Sequence, residues 1–182
     1  MKTVRFALVL VASLLLAACE NEQQAGMPPP FSLTAEAMGR YCGMNVLEHA
    51  GPKGQIILQQ IPEAIWFSSA RDTVAFTMLP DEPKEIAAIY VSDMGRAPSW
   101  DKPGAENWVD ARKAFFVIGS ARRGGMGADE AVPFSEEAAA RDFAGSNGGE
   151  VVRFDELPES YILGAGGEAA DDAPAGGAHD HG

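Results

Sequence analysis

Three sulfur-bearing side chains dominate the chemistry open to this chain: Cys42 and Met44 in Tyr41-Cys42-Gly43-Met44, and Met126 in Gly124-Gly125-Met126-Gly127. The other thiol, Cys19, closes an N-terminal signal, so Cys42 is expected to stand unpaired and no internal disulfide can form. Thiolate and thioether donors are soft and select Cu(I) over hard cations. In an extended segment, residues two apart share a face with Cα atoms roughly 6.5–7 Å apart. Cys42 and Met44 would then aim both sulfurs at one ion, with Gly43 leaving access open. Met126, flanked by glycines in a polar loop, suits a third ligand that swings away to hand the ion on. His49, on the Gly- and Pro-rich loop after the motif, adds a nitrogen donor. Zinc fits less well, because structural zinc sites want four nitrogen or sulfur ligands, usually several Cys. Plainer readings stand beside these: a lone Cys often serves as a small buried hydrophobe, Met44 reads as core, and a loop His is often merely solvated.

Catalysis has less to work with. A hydrolase or transferase needs a nucleophile with its base, or paired carboxylates. Cys42 and His49 make a conceivable thiol–base pair, but no third residue to orient it is evident. His179 and His181 stand on the tail, where they read as solvated residues or weak metal captors. The expectation is a protein that is not an enzyme.

The elements that position these residues begin after a signal. Lys2 and Arg5 precede an apolar run from Phe6 to Ala18, shorter than the roughly 20 residues of a membrane span. It ends Leu16-Ala17-Ala18-Cys19, small residues before a Cys, which resembles a bacterial lipobox. Cys19 is then the lipidated mature N-terminus, and the domain works outside the cytoplasm, held at a membrane surface. Removing residues 1–18 leaves 164 residues and moves the formal charge from −12 to −14. That balance argues against nucleic acid and against electrostatic binding to anionic lipid.

Along the mature chain, Glu20 to Pro30 reads as a tether with a stiff polyproline end, and Thr34 as the cap of a helical turn stopped by Gly39. Gln55 to Ile61, Glu85 to Val91, Lys113 to Gly119 and Val151 to Phe154 read as strands, with short extended runs at Ala64–Phe67 and Ala131–Phe134. Helices are expected over 69–79, capped by Ser68, and 136–144, capped by Ser135. Trp100 and Trp108, in a long Pro/Gly connection, suggest a lid or packing between halves, and Leu157 reads as the end of the fold. Each half then runs strand, short strand, Ser-capped helix, strand, with Phe-Ser recurring at Phe67-Ser68 and Phe134-Ser135. The fold class is α+β, two similar ββαβ lobes. The chain divides into a signal (1–18), a tether (19–30), a first lobe with Cys-Gly-Met (31–97), a second lobe with Gly-Gly-Met-Gly (98–163) and a tail (164–182) whose composition reads as disordered.

On the lipobox at Cys19, Tyr41-Cys42-Gly43-Met44-Asn45-Val46, Ala114-Phe115-Phe116-Val117 running into Gly124-Gly125-Met126-Gly127, Val132-Pro133-Phe134-Ser135 and Gly148-Gly149-Glu150-Val151, the chain resembles the NosL family of lipoproteins that accompany nitrous oxide reductase. The resemblance implies a periplasmic Cu(I) chaperone for the reductase's copper centres. The implied partners are that enzyme and a membrane ABC-type assembly complex. It further implies two lobes similar to the organomercurial lyase fold without that activity. The family's ligands map onto Cys42 and Met126, with Met44 and, less firmly tied to the pattern, His49. Where many members carry a further Cys before Cys-Gly-Met this chain has Arg40-Tyr41, which implies a single thiolate. Two other readings compete: a metal-free docking lipoprotein that uses its Met and Trp residues to hold a partner, and a thiol enzyme built on Cys42.

Overall fold

The computed structural model describes residues 26–164. The signal, Cys19 with its lipidation, the first part of the tether and the tail with His179 and His181 lie outside the described residues.

Two antiparallel sheets carry the fold. The first, ordered β2-β1-β3-β4, is built from β1 (Gly54–Leu58), β2 (Ala64–Phe67), β3 (Ile86–Ser92) and β4 (Trp108–Asp110). Helix α1 (Ala70–Met78) connects β2 to β3. The second, ordered β6-β5-β7, contains β5 (Phe115–Ile118), β6 (Val132–Phe134) and β7 (Glu150–Arg153), with α2 (Glu137–Asn147) between β6 and β7. In both sheets the first strand of the ββαβ unit is central and the strand after the helix takes its free side. The mixed α/β character with antiparallel sheets follows the expectation. β4, from the connection after residue 98, joins the first sheet, pairing Val91 with Val109.

All five residues of β1 are buried because both faces are covered. Ile56 and Leu58 point into a core shared with Val74 and Phe76 of α1 and with Phe116, Ile118 and Leu157 of the second half. Ile57 points the other way, beside Ala88 and Tyr90. The cover on that face is the stretch read as tether. The Gln55 amide exchanges two hydrogen bonds with the Phe31 backbone, at 2.8 and 2.9 Å, and the Tyr90 hydroxyl donates to the Pro28 carbonyl at 2.6 Å. Residues 28–31 are therefore bound to the sheet, because an otherwise orphaned Gln55 amide and Tyr90 hydroxyl find partners there.

Other local expectations shift for identifiable reasons. Ser69, not Ser68, caps α1, its Oγ accepting from the Asp72 N–H at 3.2 Å. Ser135 caps nothing: its N–H and Oγ donate to Asp93 at 3.1 and 2.6 Å, and α2 begins two residues later without a side-chain cap. Thr34 closes a single turn, with the Ala37 N–H on its carbonyl at 3.2 Å, before the chain enters a bridge between Met38 and Asn45. The fold does not end at Leu157, since α3 (Glu159–Leu163) buries Ile162 against the core and is held by Arg71 bonds to the Ile162 and Gly164 carbonyls.

Two buried carboxylates brace the halves reciprocally. Asp93, after β3, holds Ser135 ahead of α2. Glu130, before β6, accepts from Ser69 Oγ at 3.1 Å and from the Arg71 N–H at 2.8 Å at the start of α1. Trp100 adds an apolar brace, stacking on Phe143 and taking the Gly51 N–H on its carbonyl at 2.8 Å. That is the packing between halves expected of it.

The closest approach in the first half is Gly54 against α1, where an added Cβ would stand 1.9 Å from Thr73 Oγ1 and 2.7 Å from Thr73 Cβ. Thr73 is fully buried and its hydroxyl donates to the Ser69 carbonyl. Gly54→Ala therefore forces α1 off β1, and overpacking of this kind costs about 1–3 kcal/mol. Urea unfolding should show the midpoint lowered with an unchanged slope; an unaltered midpoint would refute the close packing.

Candidate metal site

The Cys-Gly-Met motif is a tight loop, not an extended strand. The Gly39 N–H donates to the Met44 carbonyl and the Gly43 N–H to the Gly39 carbonyl, both at 2.9 Å, and Gly43 takes a φ of +64°. The chain reverses at Gly43, so the expectation that Cys42 and Met44 share one strand face does not hold. Glycine is needed at Gly43 for the left-handed backbone. The loop is stitched to β2 by the Arg40 N–H on the Trp66 carbonyl at 2.7 Å. Tyr41 anchors its tip, packing on Phe67 and donating to Glu82 at 3.2 Å.

Cys42, a free and partly buried thiol, faces inward. Its Sγ lies 3.5 Å from Ser68 Oγ and 3.9 Å from the Met44 carbonyl. It also occupies the space above Gly39, where a Cβ would stand 2.5 Å from Sγ. The residue read as a helix cap is thus the thiol's neighbour. Met44 and Met126 are instead open to solvent, 40% and 54% exposed.

After the motif, Asn45 caps a 3-10 turn over Val46–Glu48, and His49 follows directly. The next loop is held from inside by Lys53, whose Nζ donates to the His49 carbonyl at 2.6 Å and the Ala50 carbonyl at 3.1 Å. Lys53 is buried, and burial pushes its ammonium down to about 8, an effect that the charges of Glu130 and Cys42 oppose. His49 and Lys53 line a cavity of about 310 Å³. Buried His49 Nε2 has no hydrogen-bond partner among the described residues.

The Gly-Gly-Met-Gly loop lies on this segment. Gly124 and Ala128 close it through a 2.9 Å backbone bond, and Arg123 pairs with Asp129 at its base. A Cβ on Gly125 would stand 2.6 Å from His49 Cβ and 2.7 Å from the Ala50 carbonyl, so the backbone seats there only because no side chain intervenes. A Cβ on Gly124 would meet Glu130 Oε2 at 2.7 Å. Glu130 Oε2 has no partner among the described residues, and burial raises the carboxyl to about 7 despite three hydrogen bonds to Oε1.

The contacts therefore join His49 to the loop of Met126. The hydrogen-bond partners of Cys42 are Ser68 Oγ and the Met44 carbonyl, neither of them in that loop. Among the described residues no three His, Cys, Asp or Glu side chains gather at metal-binding spacing. The donors these loops offer are a thiol, thioethers and an imidazole nitrogen, types that suit a soft metal ion. Sequence reasoning missed Lys53 and Glu130. Lys53 sits in Gly51-Pro52-Lys53-Gly54, which reads as an exposed loop, and Glu130 adjoins the exposed Asp129; the apolar run starting at Ala131 is the only local hint of burial.

This arrangement defines a small α+β protein with antiparallel sheets and a sulfur-bearing loop site. The chain belongs to the NosL family, whose model, NosL, matches residues 30–162. It is 46% identical to the copper-binding lipoprotein NosL of Achromobacter cycloclastes over 161 residues, covering 88% of this chain and 83% of that protein. It is 34% identical to the copper-binding lipoprotein NosL of Stutzerimonas stutzeri over 162 residues, covering 89% and 80%. Its structure resembles the crystal structure of the copper chaperone NosL from Shewanella denitrificans, with a TM-score of 0.68 and 32% identity over 73% of this chain and 99% of that one.

Proposed function

We propose that this chain is a lipid-anchored Cu(I) carrier on the periplasmic side of a bacterial membrane, attached through Cys19. Its cargo is copper for the centres of nitrous oxide reductase, exchanged with that enzyme and an ABC-type assembly complex. Cys42 supplies the thiolate, Met126 and Met44 the thioethers, and His49 a nitrogen. The observation that carries the reading is the seating of the Met126 loop on His49, together with a Cys42 thiol whose hydrogen-bond contacts, to Ser68 Oγ and the Met44 carbonyl, are long at 3.5 and 3.9 Å. Contacts of that length leave the sulfur available to a metal. The names of the 46% and 34% identical relatives support copper as that metal. X-ray absorption on the Cu(I)-loaded chain tests the ligand set: sulfur neighbours dominate the first shell if the reading holds, and an all-nitrogen or all-oxygen shell ends it.

The loop contact gives a second test that touches no ligand. Gly125→Ala pushes the Gly124–Gly127 loop off His49 and Ala50, so Cu(I) affinity should fall by roughly 10–100-fold, the range for residues that orient ligands. Unfolding should change little, because the loop is exposed. Unchanged affinity would show that the seating of Met126 does not matter.

One observation favours a docking lipoprotein. Of the exposed large hydrophobic side chains, Met38, Tyr41, Met44, Leu47 and Met126 all stand on or beside these loops. Under that reading a partner binds the loops with equal strength whether or not copper is present, whereas a carrier changes its affinity on loading.

A further inference from the structure

The remaining exposed large hydrophobics are Met27, Phe31 and Ile61. They line one groove of about 940 Å³ between the segment 26–31 and the turn after β1. No charged side chain lines it among the described residues. Clusters of exposed apolar side chains mark contact surfaces, and the position of this one indicates what it meets.

Pro28 and Phe31 are bound to Tyr90 and Gln55, so the proline run read as a spacer is part of the domain. Gly26 stands seven residues after Cys19 in the sequence. Seven residues reach roughly 25 Å at full extension. A chain anchored at Cys19 must therefore keep Gly26, and the groove that Gly26 lines, within that distance of the bilayer. A short tether also raises the effective concentration of the surface at its target, so a modest apolar patch suffices to engage. The absence of charge fits the boundary between headgroups and acyl chains, and suits a domain too acidic for electrostatic attachment.

We propose that Met27, Phe31 and Ile61 dock this groove into the lipid surface.

The inference rests on the lipid-anchor reading, and one experiment separates the two. Nitroxide labels are placed singly at Ile61→Cys and Leu47→Cys in a Cys42→Ser background, in the full chain processed and lipidated by its host and reconstituted into phosphatidylcholine vesicles. Flotation reports the anchor, and collision with oxygen against an aqueous nickel chelate reports the depth of each label. The expected result is flotation, with the label at 61 shifted toward oxygen, the label at 47 in water, and the shift at 61 lost on adding Met27→Ser and Phe31→Ser. A chain that floats with both labels equally wet overturns the docking and leaves the anchor standing. A chain that does not float overturns the anchor, and the docking falls with it. The same shift at 61 in unanchored protein without vesicles would assign the groove to a second copy of the chain and overturn lipid docking.

Discussion

Cys42→Ser should abolish tight Cu(I) binding while leaving the fold unchanged. The hydroxyl is a hard, neutral donor at physiological pH, and it replaces the only thiol among the described residues. The described residues offer no cluster of His, Cys, Asp or Glu that can compensate. The loss should therefore exceed the roughly 10–100-fold that removing a supporting residue costs. The structural consequence is small because the hydrogen-bond contacts of Sγ, to Ser68 and the Met44 carbonyl, are long, and a hydroxyl fits the space over Gly39 and can keep the bond to Ser68. Away from buried networks such a change shifts stability by less than about 1 kcal/mol. An anaerobic titration against a chromophoric Cu(I) chelator, paired with urea unfolding of both proteins, checks both halves. Retained affinity would remove Cys42 from the site, and a collapse of the fold would make it a core residue.

The same residue shows what the sequence reveals and what it withholds. That Cys42 is a lone thiol near thioethers follows from composition and order alone. That it is partly buried beside Ser68 while Met44 is open to solvent depends on the backbone reversal at Gly43, and an apolar pattern carries no trace of such a turn. The strands were legible wherever β-branched runs are bounded by Gly and Pro, as with Ile56-Ile57-Leu58 and Phe115 to Ile118. The ββαβ order followed from them. Helix starts were legible only to within a residue or two, because Ser68 and Ser69 are equally good caps by type. The choice between them is made by tertiary contacts: Ser69 reaches Glu130, and Ser68 reaches Cys42. β4 and α3 are short, and their pairing with β3 and Arg71 is long-range, so no local signal announces them. The polyproline tether misled for the same reason, since its partners Gln55 and Tyr90 lie some distance along the chain.

Glu130 and Lys53 should give this protein a stability minimum near neutral pH. Glu130 ionises near 4.5 in an unfolded chain, but burial raises it to about 7 in the fold. Between those values the folded chain binds more protons than the unfolded one, so the free energy of unfolding falls as pH rises from about 4.5 to about 7. The size is on the order of 3 kcal/mol at most. Lys53 acts in the opposite sense. Its ammonium is lowered from 10.5 to about 8 by burial, so across that window the unfolded chain binds more protons and stability rises with pH. Unfolding followed in urea at a series of pH values should therefore trace a decline, a trough near 7–8 and a recovery. Glu130→Gln should flatten the acid limb, since its side chain does not ionise and keeps an acceptor for Ser69, Arg71 and Ala131. Lys53→Met should flatten the alkaline limb while freeing the His49 and Ala50 carbonyls. A curve that climbs steadily from pH 4.5 to 8 would mean that Glu130 is held as a carboxylate in the fold. Two buried ionisable groups with such opposed costs persist because each secures a different wall of the same junction. Lys53 fixes the loop of His49 from within, and Glu130 ties the start of α1 to the base of the Met126 loop, so the stability given up near neutral pH holds the site's loops in register across the two halves.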